Sequence, residues 1–313
     1  MGPQNLTVPA EFILMGVTSQ PELQLPLFRV LLIIYLVTVL ENLGMVILTK
    51  LDSCLHTPMY FFIRHLALID LGNSTVIYPK MMVSFMTDQN TISYSACASQ
   101  MAFFMFFIIS ELFLLSSMAY DRYVAICNPL LYNVIMSQRL CLVLVGIPYV
   151  YSTFPSVLIT SKIFVSSFCG SNVINYFYCD DVPVLSKLCT NAQEIESLIF
   201  LFSALNVTSS LLVVLVSYIL ILLAICRMQS AEGKRKAFST CASHLTVVVV
   251  FYGTLLFMYL QPKSTHSFNT DTTASVFYTL VVPMLNPLIY SFRNKEVKNA
   301  IQRMFYNPCK RCV

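Results

Sequence analysis

No tryptophan occurs in the 313 residues, glycine is held to 8, and charged residues reach only 11%. The low charge excludes an ordinary soluble domain, in which about a quarter of residues are charged. Disorder is excluded too, because 57% of the residues are apolar and disorder needs low hydrophobicity with high charge. Eight glycines exclude a collagen-like repeat. No internal repeat is visible, which weakens an inverted-repeat transporter. Neither H-E-x-x-H nor G-x-S-x-G occurs, and His56, His65, His244 and His266 are scattered among segments, so no catalytic set is read. The first 20 residues lack a basic start and a continuous apolar run, so no cleavable signal peptide is read there. The start also lacks the Ser or Thr of a myristoylation site.

What is present is long apolar runs, with a mean hydropathy of +0.72. Seven stretches are each long enough to cross the hydrocarbon core, which needs about 20 residues. They cover residues 26–49, 58–79, 98–120, 140–160, 198–226, 237–260 and 272–291. The expected fold class is an all-α membrane protein with seven spans. Residues 1–25 form an outer N-terminus, 26–291 the helix bundle and 292–313 a cytoplasmic tail. Span 2 is the weakest, because Arg64, His65 and Asp70 lie inside it. Pro148 and Pro155 in span 4 read as tolerated kinks.

An odd span count puts the termini on opposite sides, and basic residues choose between the two orientations. With the N-terminus outside, the cytoplasmic pieces hold 14 of the 19 lysines and arginines, and the outer pieces 5. That places the C-terminus inside. It also explains the net charge of +4 without nucleic acid; membrane lipid is the expected surroundings.

Asn5-Leu6-Thr7 is a glycosylation sequon on the outer side, while the sequons at Asn73 and Asn206 lie within spans. Of 11 cysteines, Cys97, Cys169, Cys179 and Cys189 fall outside. An even set in an oxidising compartment suggests two disulfides, with three connectivities open. Cys309 and Cys312 in the tail read either as palmitoylation sites or as idle thiols.

Five strings carry a family resemblance: LHTPMYFF (55–62), PKM (79–81), MAYDRYVAICNPLLY (118–132), KAFSTCASHL (236–245) and PMLNPLIYSFRNKEVKNA (283–300). Each falls in order at a membrane edge. Together they resemble the olfactory receptors, a branch of the rhodopsin-like G-protein-coupled receptors, over nearly the whole chain. The resemblance implies a receptor rather than an enzyme, residing in the plasma membrane of olfactory cilia. It implies a small volatile odorant as ligand and a stimulatory heterotrimeric G protein as partner, with a rise in cAMP. It also implies an amphipathic helix after span 7, and the pairing of Cys97 with Cys179 and of Cys169 with Cys189.

The same resemblance assigns coupling residues. Asp121 and Arg122, followed by Tyr123, pair at rest and part on activation, a two-state element biased by ligand. Asn286, Pro287 and Tyr290 match the hinge of span 7, where proline removes a backbone hydrogen bond. Tyr218 matches a tyrosine that moves inward on activation. Asp70 and Glu111 match buried acids that in related receptors lie beside a structural sodium ion; a protonated, hydrogen-bonded pair is the other reading. One departure stands out: Glu41-Asn42 replaces the usual Gly-Asn of span 1. The tryptophan switch of many rhodopsin-like receptors is missing from span 6, where Phe251-Tyr252-Gly253-Thr254 looks like the olfactory form, with Tyr252 in the switch place. Asp70, Glu111 and Glu41 also give a transporter or channel its one attraction, but the odd span count and missing repeat weigh against it.

The resemblance implies a ligand cavity within the bundle. Phe104, Met105, Ile108, Ile109 and Leu112 share one face of span 3, which on spacing alone reads as core packing or lipid contact and which the resemblance points at that cavity. The matching positions are Phe202, Ser203 and Asn206 in span 5, Tyr252, Leu255, Leu256 and Tyr259 in span 6, and Val276 and Thr279 in span 7. Such a lining is apolar with a few neutral polar groups and no full charge. It predicts a small, neutral, largely apolar ligand. Asn206 reads either as the polar anchor for that ligand or as an interhelical hydrogen bond.

Overall fold

The computed structural model describes residues 10–18, 20–87, 90–169, 171–260, 275–293 and 295–306. Asn5, Cys309 and Cys312 lie outside the described residues. The helices are α1 (Pro21–Leu51), α2 (Pro58–Thr87), α3 (Tyr94–Cys127), the short α4 (Tyr132–Ile135), α5 (Gln138–Val165), the short α6 (Asp181–Leu185), α7 (Ala192–Arg227), α8 (Ala231–Leu260), α9 (Val282–Arg293) and α10 (Lys295–Tyr306). A wide π-turn over Phe277–Val281 leads into α9, and the two together make the seventh spanning element. With α1, α2, α3, α5, α7 and α8 it forms a seven-helix bundle.

Among the described residues, α1 (from Glu22), α3, α5 and α7 are long and apolar enough to cross a membrane on composition alone. The polar residues inside α2 keep it from that standard. α8 meets it only as two segments, Ala231–Ser239 and Cys241–Leu256, set at 41°. The helices outrun the apolar runs that announced them. α2 does not close at 79–81 but continues through Pro79 to Thr87. α3 carries Asp121, Arg122 and Tyr123 inside the helix rather than beyond it. Hydropathy finds where a segment leaves the hydrocarbon, whereas backbone hydrogen bonds continue into the interface.

Lipid replaces water around the bundle. Leu40, Val150 and Phe200 are each at least 70% exposed, a surface that would aggregate in water but suits acyl chains. Without a hydrophobic drive between helices, small polar groups tie the bundle together. Ser110 donates to Ser152 of α5 at 3.0 Å, Ser117 to the Leu144 carbonyl of α5 at 3.0 Å, and Ser116 to the Ser210 carbonyl of α7 at 3.1 Å. All three start from α3, which lies at the centre. Asn42 Nδ2 donates to the Pro283 carbonyl at 3.0 Å and so fastens α1 to α9. Beside it, Oε2 of Glu41 is buried without a hydrogen-bond partner among the described residues. Gly72 of α2 packs closely on α3, since a Cβ there would run into the Phe107 ring.

Over the end expected to face outside, called the outer end, lies a three-stranded sheet in the order β2-β1-β3, made of β1 (Glu11–Leu14), β2 (Thr91–Ser93) and β3 (Val173–Ile174). β1 runs antiparallel to β2 and parallel to β3, pairing Phe12 with Ile92 and Ile13 with Val173. Phe12 is wholly buried and packs its ring against Tyr94, Phe164 and Phe168. The sheet therefore clamps the segment 166–191 across the bundle. At the inner end, α10 is held by Tyr60 donating to Glu296 at 2.7 Å and by the Arg303–Asp52 ion pair at 2.9 Å.

Candidate functional site

Two disulfides fix the segment above the bundle. Cys97 of α3 joins Cys179, and Cys169 joins Cys189, each with Cα atoms 5.5 Å apart. The Cys179 amide also donates to Gln100 Oε1 at 2.9 Å. These ties set Tyr178, Asp180 and Asp181 over a cavity of about 740 Å³, its open mouth included.

The cavity wall contains nine of the residues expected there. Phe104, Met105, Ile108, Ile109 and Leu112 come from α3, Phe202, Ser203 and Asn206 from α7, and Leu255 from α8. Tyr252, Leu256, Val276 and Thr279 are not on this wall. Tyr252 aims its hydroxyl at the Leu112 carbonyl, 3.5 Å away, and Thr279 donates back to the Ser275 carbonyl at 2.6 Å. The π-turn over Phe277–Val281 changes the phase of that element, so Tyr278 rather than Thr279 reaches the cavity. The side chain of Tyr259 lies outside what is described.

Sequence reasoning missed Pro155, Ile159, Val207 and Tyr278, and more consequentially Asp180 and Asp181. The expected lining of neutral groups with no full charge thus gains two carboxyl groups. The signal was available, because joining Cys179 to the outer end of α3 carries its two successors over the cavity. Burial, and then the neighbouring Asp181, push the Asp180 carboxyl up to about 8. Burial also raises Asp181.

Asn206 makes an interhelical bond, although its partner is on α5 rather than α8. Tyr151 donates to its Oδ1 at 2.7 Å. The residue is 3% exposed and still lines the cavity.

Deeper in the bundle, Asn286 Nδ2 lies within 3.1–3.3 Å of carboxylate oxygens of both Asp70 and Glu111. One amide thus joins α2, α3 and α9. The amide faces them with its donor side, so only the carboxyl oxygens of Asp70 and Glu111 could hold a hard cation here.

At the inner end Asp121 and Arg122 form a buried ion pair. Tyr132 of α4 donates to the other Asp121 oxygen at 2.7 Å. Burial, then Asp121, push the Tyr132 phenol above its ordinary range, so it remains a donor. Tyr218 and His244 meet at 2.7 Å, and His244 Nε2 faces the Leu115 carbonyl at 3.1 Å. A carbonyl only accepts, so Nε2 carries the hydrogen and Nδ1 accepts from Tyr218. Tyr290 is buried in the same region, near Met59, Met118, Asp121, Arg122 and His244. Tyr123 is half-buried against Tyr120. Pro287 lies within α9.

A central α3 ending in a closed ion pair, with an outer cavity and a disulfide-held roof, defines a seven-helix receptor of the rhodopsin type. Squid rhodopsin has a similar fold, with a TM-score of 0.75 over 92% of this chain and 82% of that one, at 15% identity. Residues 31–308 match the family model described as olfactory receptor. Human olfactory receptor 8K5 is 72% identical over 98% of this chain and 100% of its own length. Human olfactory receptor 8K3 is 64% identical over 99% of each. The chain belongs to the olfactory receptor family. It is a multi-pass plasma-membrane receptor for an odorant, acts through a G protein, and is not an enzyme.

Proposed function

We propose that the receptor works in the membrane of olfactory cilia, with its N-terminus outside and Asn5 glycosylated. It binds a small, neutral, largely apolar volatile among α3, α5, α7 and α8 and activates a stimulatory G protein, raising cAMP. The observation that carries the ligand reading is the cavity itself, whose α3 wall is Phe104, Met105, Ile108, Ile109 and Leu112. Burying hydrocarbon against that wall gains about 0.8 kcal/mol per CH₂. Ligand entry biases the Asp121–Arg122 element between its paired and parted states. A sodium ion between Asp70 and Glu111, beside Asn286, favours the resting arrangement. The test is a cAMP reporter screen of volatiles, followed by dose–response curves for Ile108→Trp, which fills the cavity. Loss of response to every active volatile, at unchanged surface density, is expected. A full response from the filled cavity places the site elsewhere.

A further inference from the structure

The cavity has a polarity that the apolar reading leaves unused. On its α7 wall, Asn206 is more than nine-tenths buried. Its Oδ1 is taken by the Tyr151 hydroxyl. A phenol is a better donor than acceptor, which fixes the amide with its oxygen toward α5. Its Nδ2 has no hydrogen-bond partner among the described residues, and two donor hydrogens are left for the cavity. A ligand oxygen at this wall gives that donor a partner.

The roof has the opposite character. Asp180 Oδ1 accepts from the Asp181 amide at 3.0 Å, its Oδ2 from Tyr178 at 3.3 Å, and Asp181 Oδ1 from the Val182 amide at 2.8 Å. Each carboxyl oxygen has two lone pairs, so the pair keeps acceptor capacity where it borders the cavity. Three of these contacts are made within the segment 178–182 itself, so the roof can meet a ligand without breaking the bundle.

We propose that this receptor reads a bifunctional odorant, a small aliphatic hydroxy-carbonyl compound. Its carbonyl oxygen accepts from Asn206 Nδ2, its hydroxyl donates to the Asp180–Asp181 pair, and Tyr151 acts as the positioning residue that holds the amide in that sense. The proposal rests on the odorant reading of the same cavity. A neutral hydroxyl suits the roof better than an ammonium. Burial and the mutual repulsion of the two carboxyls favour keeping a proton between them, so the full charge needed to offset a buried cation is reduced.

The test uses four probes of matched chain length: a hydroxy-ketone, the ketone, the alcohol and the alkane. Each is titrated in a cAMP assay on the intact receptor and on Asn206→Leu, Asp181→Ala and Tyr151→Phe, at equal surface density. On the wild type the hydroxy-ketone is expected to be about tenfold more potent than either single-function probe, the factor of roughly one good hydrogen bond. Asn206→Leu removes the advantage of the carbonyl and spares the alcohol; Asp181→Ala does the reverse. Tyr151→Phe frees the amide to turn, so the ketone and the hydroxy-ketone lose potency while the alcohol and the alkane are unmoved. A merely structural Tyr151 would shift all four probes alike. Equal potencies of hydroxy-ketone, ketone and alcohol on the wild type overturn the polarity assignment alone. A more potent amino-ketone overturns the choice of hydroxyl. Silence of all four probes overturns the odorant reading of the cavity itself. If Asp181→Ala fails to reach the surface, Asp181→Asn gives the same comparison with the loop geometry retained.

Discussion

Tyr218 of α7 donates to His244 of α8 across 2.7 Å, and His244 passes the connection to the Leu115 carbonyl of α3. Three helices are thereby joined just above the closed Asp121–Arg122 pair. The bond belongs to the resting arrangement, because the ion pair beside it is made.

Tyr218→Phe removes that bond and leaves a buried imidazole nitrogen unpaired. The loss is about 1 kcal/mol, enough to shift a two-state population roughly fivefold. Ligand-free cAMP should rise by that order at matched surface density. A drop in basal signal would assign the bond to the active state instead.

Arg122→Ala should abolish signalling and leave odorant binding intact. The arginine lies at the inner end, with its charge committed to Asp121 and buried with it. Binding is read by competition with a labelled odorant on membranes. Normal signalling by this variant would show that the ion pair is not the coupling element.

The two outer disulfides differ in what they hold. Cys97–Cys179 closes a separation of 82 residues and Cys169–Cys189 one of 20. Chain entropy puts their contributions on the order of 4 and 3 kcal/mol, and only the first ties the roof to α3. Cys97→Ser and Cys179→Ser should nearly abolish surface expression, and Cys169→Ser should reduce it less. Non-reducing peptide mapping checks the pairing directly, and a Cys97–Cys169 or Cys97–Cys189 peptide would refute it.

Gly72→Val forces two methyl groups into the Phe107 ring. Overpacking of this kind costs about 1–3 kcal/mol. Surface expression should fall, and Phe107→Ala in the same chain should restore much of it, since the two sites share one contact. Independent, additive losses would mean that α2 and α3 do not pack here.

Sodium binding makes a separate prediction. With choline replacing sodium, wild-type agonist potency should increase, because the resting state loses its ion. Asp70→Asn should respond equally in both salts. A sodium effect that survives Asp70→Asn places the ion elsewhere.

Much of the bundle was legible in the sequence because apolar runs of about 20 residues have one solution in lipid. The face of α3 from Phe104 to Leu112 could be read from helical spacing and borders the cavity. What stayed hidden depends on how distant elements meet. Tyr151 and Asn206 are 55 positions apart, and no periodicity in one helix reports the register of another. Thr279 was expected at the cavity as a position matching the family, and its hydroxyl instead bonds back to the Ser275 carbonyl. Asp180 and Asp181 went unread, since only the Cys97–Cys179 tie places them over the bundle.

The decisive measurement is nucleotide exchange on a purified stimulatory G protein, with the receptor in nanodiscs and a panel of volatiles. A neutral, largely apolar volatile should accelerate exchange on the wild type, with no acceleration on Arg122→Ala. Exchange that no volatile accelerates, or that Arg122→Ala supports as well as the wild type, would contradict an odorant-driven receptor acting through that G protein.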